Sequence, residues 1–171
     1  MDLAHAIQMN VEGLTLDPAT KTPIVVLRDA ENKLNLPIWI GLLEATAIAT
    51  ELEKIQMARP MTHDLLRSVI DQLGASVEAV EVSDLRENTF FAVIHVRSGD
   101  RAIEIDSRPS DAIALALRMQ CPIFVAKKVL EQSSILQQEE EGQEQNLSNV
   151  SPDKWAEILD RMTPDDFKYK M

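Results

Sequence analysis

The pattern of apolar and polar positions divides the chain into extended and helical stretches. Ala6 to Leu16 reads as a strand and stops at Asp17-Pro18-Ala19-Thr20, a turn-forming cluster. The β-branched run Ile24-Val25-Val26-Leu27 follows, then a polar turn over Arg28 to Lys33, then a third strand over Leu34 to Ile40, so a meander is predicted. After Gly41 the period changes. Leu42, Ala45, Ala49 and Leu52 recur at helical spacing, with Ile48 and Ile55 widening the stripe, which predicts a helix over about 42 to 56. A second helix is predicted after Pro60 and Thr62, with Leu65, Leu66, Val69, Ile70 and Leu73 as its apolar face and Gly74 as its stop. Its other face carries His63, Asp64, Arg67 and Asp71, where Arg67 can pair with Asp64 or Asp71 as solvated helix faces usually do.

Three further strands are expected at about 76 to 83, 89 to 97 and 102 to 106, separated by turns at Leu85 to Asn88 and Ser98 to Asp100. In the last of them Ile103 and Ile105 face one way, and Glu104 and Asp106 the other. An Ala- and Leu-rich helix over Pro109 to Met119 and a short buried strand over Pro122 to Val125 complete the body. Trp39 and Phe124 read as core, and Cys121 as a small buried hydrophobe. The fold class is α+β: a mixed, mainly antiparallel sheet packed with three main helices, plus a short C-terminal helix. The domain is expected over residues 1–131. Residues 132–150, rich in Gln, Glu, Ser and Asn, read as an acidic mobile linker. Residues 151–171 read as a helical appendage begun by Ser151 and Pro152, with Phe167 and Tyr169 as aromatic anchors near its end.

Charge narrows the partners. The 171 residues carry a net −11, with ten acidic and four basic side chains in residues 131 to 171. Non-specific nucleic-acid binding rests on Lys and Arg displacing counterions. A broadly basic surface is therefore excluded, whereas a local basic cleft is not. No apolar run is long enough for a spanning helix, so no membrane partner is expected. The N-terminus lacks a secretory pattern and the single Cys121 permits no internal disulfide, so a cytoplasmic location is the default.

Gly-rich phosphate loops, paired Cys ligands and nucleophile elbows are missing from the sequence, and His5, His63 and His95 lie far apart in it. His95 reads as a strand residue with a hydrogen-bond partner. Two segments echo each other instead: Arg59-Pro60-Met61-Thr62-His63-Asp64 and Arg108-Pro109-Ser110-Asp111, each an arginine, proline, hydroxyl and carboxylate at a helix start. The plain reading is capping by Thr62 and Ser110. The functional reading is an anion pocket in which Arg59 and Arg108, with Thr62 and Ser110, bind phosphate at two helix starts. Asp106 and Asp111, joined by Glu44 or Asp64, then offer oxygen ligands to a divalent metal, magnesium or manganese, that activates water against a phosphodiester. His63 and Asp111 are the candidate catalytic pair, His63 as proton carrier.

The same segments resemble the bifunctional nuclease domain family. Pro37-Ile38-Trp39-Ile40-Gly41 with Glu44-Ala45 looks like its opening motif, and Arg59 to Leu65 like its second block. Leu73-Gly74-Ala75 and Thr89-Phe90-Phe91-Ala92 are similar to intervening positions. Asp106 to Ala116 is the most specific block, followed by Pro122 to Val125. The likeness covers about residues 5 to 131, and the tail from Phe167 to Met171 resembles bacterial members. It implies a compact α+β fold, self-association into a homodimer or larger homo-oligomer, and hydrolysis of DNA and RNA. It brings no catalytic residue roles with it. The leading expectation is a metal-dependent nuclease with its site between the two helix starts. The rivals are a non-enzymatic module that binds a small anion or a protein, and polar residues that only tie helices to the sheet.

Overall fold

The computed structural model describes residues 3–134. The elements run β1 (Ala6–Leu16), β2 (Pro23–Asp29), β3 (Asn35–Trp39), α1 (Leu42–Leu52), α2 (Thr62–Gln72), β4 (Ala75–Arg86), β5 (Thr89–Ser98), β6 (Arg101–Ser107), α3 (Pro109–Met119) and β7 (Ile123–Ala126). Residues 127–134 are helical as well, so the helix runs through the position, 132, where the linker was expected to begin. The rest of that linker and the C-terminal appendage lie outside the described residues.

The strands form one seven-stranded sheet in the order β3-β2-β1-β7-β4-β5-β6. Two antiparallel meanders, β1-β2-β3 and β4-β5-β6, are joined by β7, which pairs antiparallel with β1 and parallel with β4. The expected mixed α+β architecture is therefore present. Its turns have local causes. Asp17 accepts hydrogen bonds from the backbone N–H groups of Ala19 and Thr20, and Asp29 accepts them from Lys33 and Leu34. The β4–β5 hairpin turns on Glu87 and Asn88, both at positive φ (48° and 59°), the conformation a two-residue turn needs to match strand twist. That turn is tighter than the one expected at 85 to 88, so β4 runs on to Arg86.

The core comprises Met9, Val25, Leu27 and Leu36 from the first meander, Val80, Val82 and Ala92 from the second, and Ile48, Ile113, Leu115 and Val125 between them. Helix α3 packs on β4 and β5 and also against α1 and α2. Its small residues Ala112, Ala114 and Ala116 are fully buried, which lets backbones approach on more than one side. Helix α1 ends at Leu52 rather than near Gln56, because the chain leaves the helix at Lys54 in the left-handed region (φ 52°). Gly74 does follow α2 at positive φ (67°), as its role as a stop requires.

Two apolar features stand exposed, and for Trp39 this overturns the core position expected of it. The apolar face of α2 is not core: Leu65, Leu66, Val69 and Leu73 are all exposed, and the helix buries no residue fully. Periodicity identified an apolar face correctly, but among the described residues only its Ile70 is partly covered. Trp39 is not core either. It sits on edge strand β3 and is 45% exposed.

Candidate functional site

The starts of α1, α2 and α3 converge around a cavity of about 380 Å³, lined among others by Glu44, Thr62, His63, Arg108, Asp111 and Arg118. First-turn N–H groups of a helix lack intrahelical partners. Each of the three starts can therefore offer N–H donors to an acceptor, beside the charged side chains Glu44, Arg108, Asp111 and Arg118 that line the cavity.

Arg108 is the hinge of the site. As N-cap residue of α3 it has extended backbone, and Pro109 occupies the first helical position, where its missing N–H costs nothing. Its Nε donates to Asp111 Oδ2 at 2.6 Å and its Nη1 to Glu44 Oε1 at 2.8 Å, which ties α3 to α1. The other oxygen of Asp111 lies 3.1 Å from His63 Nε2, which ties α3 to α2. Burial acts to raise the Asp111 pKa, but hydrogen bonds from Arg108 and His63 outweigh it and hold the carboxyl below its ordinary value. Arg108 is in turn raised, first by its hydrogen bond to Asp111. An ionised Asp111 can only accept, so Nε2 of His63 is the donor in this contact. The His63 side chain is only 14% exposed, so the helix-start histidine is held rather than solvated.

The second arginine of the cavity is Arg118, not Arg59. Arg59 is exposed and lines neither this cavity nor its neighbour. Arg118, whose side chain is 2% exposed, donates from Nε to Asp64 Oδ1 and from Nη1 to the carbonyls of Ala47 and Ala114. Asp64 uses its other oxygen to accept from the Met61 backbone N–H at 2.9 Å, closing the first turn of α2. The Arg118 hydrogen bond is the main reason its pKa is lowered. Arg67 pairs with Asp71. The sequence held a signal for Arg118: it follows Ala114 by four and Leu115 by three on a helix whose stripe is otherwise apolar.

Thr62 and Ser110 are not caps. The N-cap residues are Met61 and Arg108, and neither helix has a side-chain cap at that position. Thr62 lines the first cavity, while Ser110 is buried and lines an adjoining one of about 280 Å³. Asp106 stands exposed on β6 opposite Val93 and lines neither cavity. Among the described residues no three His, Cys, Asp or Glu side chains form a group fit to hold a metal. The expected ligand set of Asp106, Asp111, Glu44 and Asp64 does not converge. Arginines already engage Glu44, Asp64 and Asp111, so these groups do not fit a preformed metal site. Away from the cavity, His95 is buried with Nε2 3.5 Å from Glu81 and makes no hydrogen bond there, contrary to expectation. Glu81 instead accepts from, or is ion-paired with, His5 at 2.7 Å.

Comparisons with known proteins agree with the motifs. The chain is similar to an uncharacterized protein of Mycobacterium tuberculosis, 40% identical over 163 residues that span 94% of this chain and 98% of the other. It is 30% identical to bifunctional nuclease 2 of Arabidopsis thaliana over 127 residues, 72% of this chain but 39% of the plant protein. Bifunctional nuclease 1 of rice (Oryza sativa subsp. japonica) is 26% identical over 129 residues, 73% of this chain and again 39% of the plant protein. Residues 25–138 match the model of the bifunctional nuclease domain, a span that holds every residue of the cavity, and the chain belongs to that family.

Proposed function

We propose that the chain is a nuclease that hydrolyses phosphodiester bonds in DNA and RNA at the cavity between α1, α2 and α3. The observation that carries this reading is the chain of contacts Glu44–Arg108–Asp111–His63 along that cavity. Arg108 offers a guanidinium to a phosphate oxygen, while first-turn N–H groups add neutral donors. His63, held by Asp111, takes the proton of the attacking water at Nδ1 and delivers one to the leaving oxygen. Arg118 keeps the three helices in register. Dependence on magnesium or manganese is part of the proposal that the assay must decide.

The test is cleavage of single-stranded DNA and RNA by the full chain with magnesium, with manganese and with chelator. Loss of a general acid–base is expected to lower the rate by roughly 10²–10⁴-fold in His63→Ala, and Asp111→Asn should follow it, with thermal midpoints retained. Folded variants that cleave at the wild-type rate would sink the site. A wild-type chain inactive under every metal condition moves the reading to a non-enzymatic anion-binding module.

We also propose self-association through α2. Its exposed face of Leu65, Leu66, Val69 and Leu73 is a contiguous apolar stripe of the kind that marks an interface, and a second copy offers the same surface in a two-fold arrangement.

A further inference from the structure

Beside the catalytic cavity lies the smaller one, and the two share Glu44 and Arg108. Arg108 is therefore the divider between them, and a ligand whose phosphate meets Arg108 has its next group within reach of the second cavity. That cavity is lined by Trp39 and Phe90, by Asn88 and Thr89 of the β4–β5 hairpin, and by Pro109 and Ser110 of α3. Among the described residues that line it, Arg108 is the only cation, and Glu44 adds a negative charge. It is thus unsuited to a second phosphate and suited to a neutral, flat group with polar edges.

Trp39 carries the point. It is 45% exposed on an edge strand, where a large aromatic gains little from burial. Its one polar atom is already satisfied, because indole Nε1 donates to Asp17 Oδ2 at 3.1 Å. This fixes the ring to the β1–β2 turn and leaves it no hydrogen-bonding task in the cavity. What remains available is its apolar surface. Asn88, held in a tight turn at φ 59°, and Thr89 also line it and carry an amide and a hydroxyl that can donate and accept. Glu44 uses Oε1 for Arg108, and a carboxylate can accept from an exocyclic amino group.

We infer that this second cavity is a nucleobase subsite, in which an unpaired base of single-stranded nucleic acid stacks on Trp39 while the adjoining phosphate lies at Arg108. The inference rests on the nuclease reading and narrows its substrate to strands whose bases are free to leave a stack. Duplex, whose bases are paired and stacked, meets the site only after unpairing.

The experiment measures binding of a short oligodeoxythymidine and of an abasic oligomer of equal length. It uses the full chain carrying His63→Ala, with chelator present to keep the strands intact. Anisotropy of the dye-labelled strand reads binding in every variant, and Trp155→Phe makes Trp39 the sole tryptophan where it is kept, so quenching of its fluorescence reports stacking. The base-bearing strand is expected to bind roughly five- to a hundred-fold more tightly than the abasic one, the range typical of base–aromatic stacking. Trp39→Leu, which keeps apolar bulk without a π face, should bring that ratio close to one with the thermal midpoint retained. Trp39→Phe should keep most of the ratio. An unchanged ratio in Trp39→Leu overturns the subsite. A wild-type ratio of one overturns it too, yet leaves the nuclease reading standing. A chain that binds neither strand, with chelator or with calcium in place of magnesium, overturns both.

Discussion

Replacing Arg118 by methionine tests the reading that one buried guanidinium holds the three helices around the site. The substitution removes the ion pair to Asp64 and two hydrogen bonds, to the carbonyls of Ala47 and Ala114. Both carbonyls lie inside helices and keep their i+4 partners, so the main group left wanting is the Asp64 carboxylate. Breaking a fully buried pair costs about 3–5 kcal/mol. Asp64 is 35% exposed, so water recovers part of that, and it retains the Met61 N–H. Discounting for this, the loss is about 2–3 kcal/mol. Urea unfolding at neutral pH measures it, and the double variant Arg118→Met/Asp64→Asn should recover about 1 kcal/mol because no charge is then stranded. The pH dependence has a definite sign. Asp64 has a depressed folded-state pKa, chiefly through Arg118, so its contribution is full above the unfolded carboxyl value of about 3.9. It is lost as pH falls through the folded value, and the gap between wild type and Arg118→Met should narrow there. A single variant as stable as wild type at pH 7 would refute the reasoning and make the pair a break-even feature.

Three further outcomes are expected. A Cβ on Gly41 would stand 2.2 Å from Glu44 Oε2, the end of a flexible side chain, so Gly41→Ala should swing Glu44 off Arg108. Unfolding should show a change under about 1 kcal/mol, while affinity for inorganic phosphate at Arg108 changes; an unaltered phosphate isotherm would count against the Glu44–Arg108 contact. Burial pushes the Cys121 thiol up to about 11, so alkylation by iodoacetamide at pH 8 should be slow in the folded chain and fast in urea, and equal rates would contradict its placement. Leu65→Asp with Leu73→Asp should shift the light-scattering mass from a multiple of the chain to the monomer, and a wild-type monomer at micromolar concentration would remove the α2 interface.

Much of the architecture was legible in local pattern. The bounds of β1 and of α3 follow from residues in contact along the chain: the Asp17 turn, Pro109 at a first helical position, and an alanine-rich stripe. The two echoing helix starts, Arg59 to Asp64 and Arg108 to Asp111, likewise marked a candidate site, and Glu44, Thr62, His63, Arg108 and Asp111 do line one cavity. Local periodicity reports that a face is apolar, but it does not report what covers that face. The indole of Trp39 therefore reads as core and stands exposed on the sheet edge, while the stripe of α2 stands largely uncovered on its helix. The choice of partner was also beyond the sequence. His63 meets Asp111 across 48 residues, Arg108 meets Glu44 across 64, and Arg118 displaces Arg59 as the second arginine. Such pairings depend on how α3 crosses α1 and α2 over the sheet. That crossing is set by side-chain packing between distant segments, which no window along the chain contains.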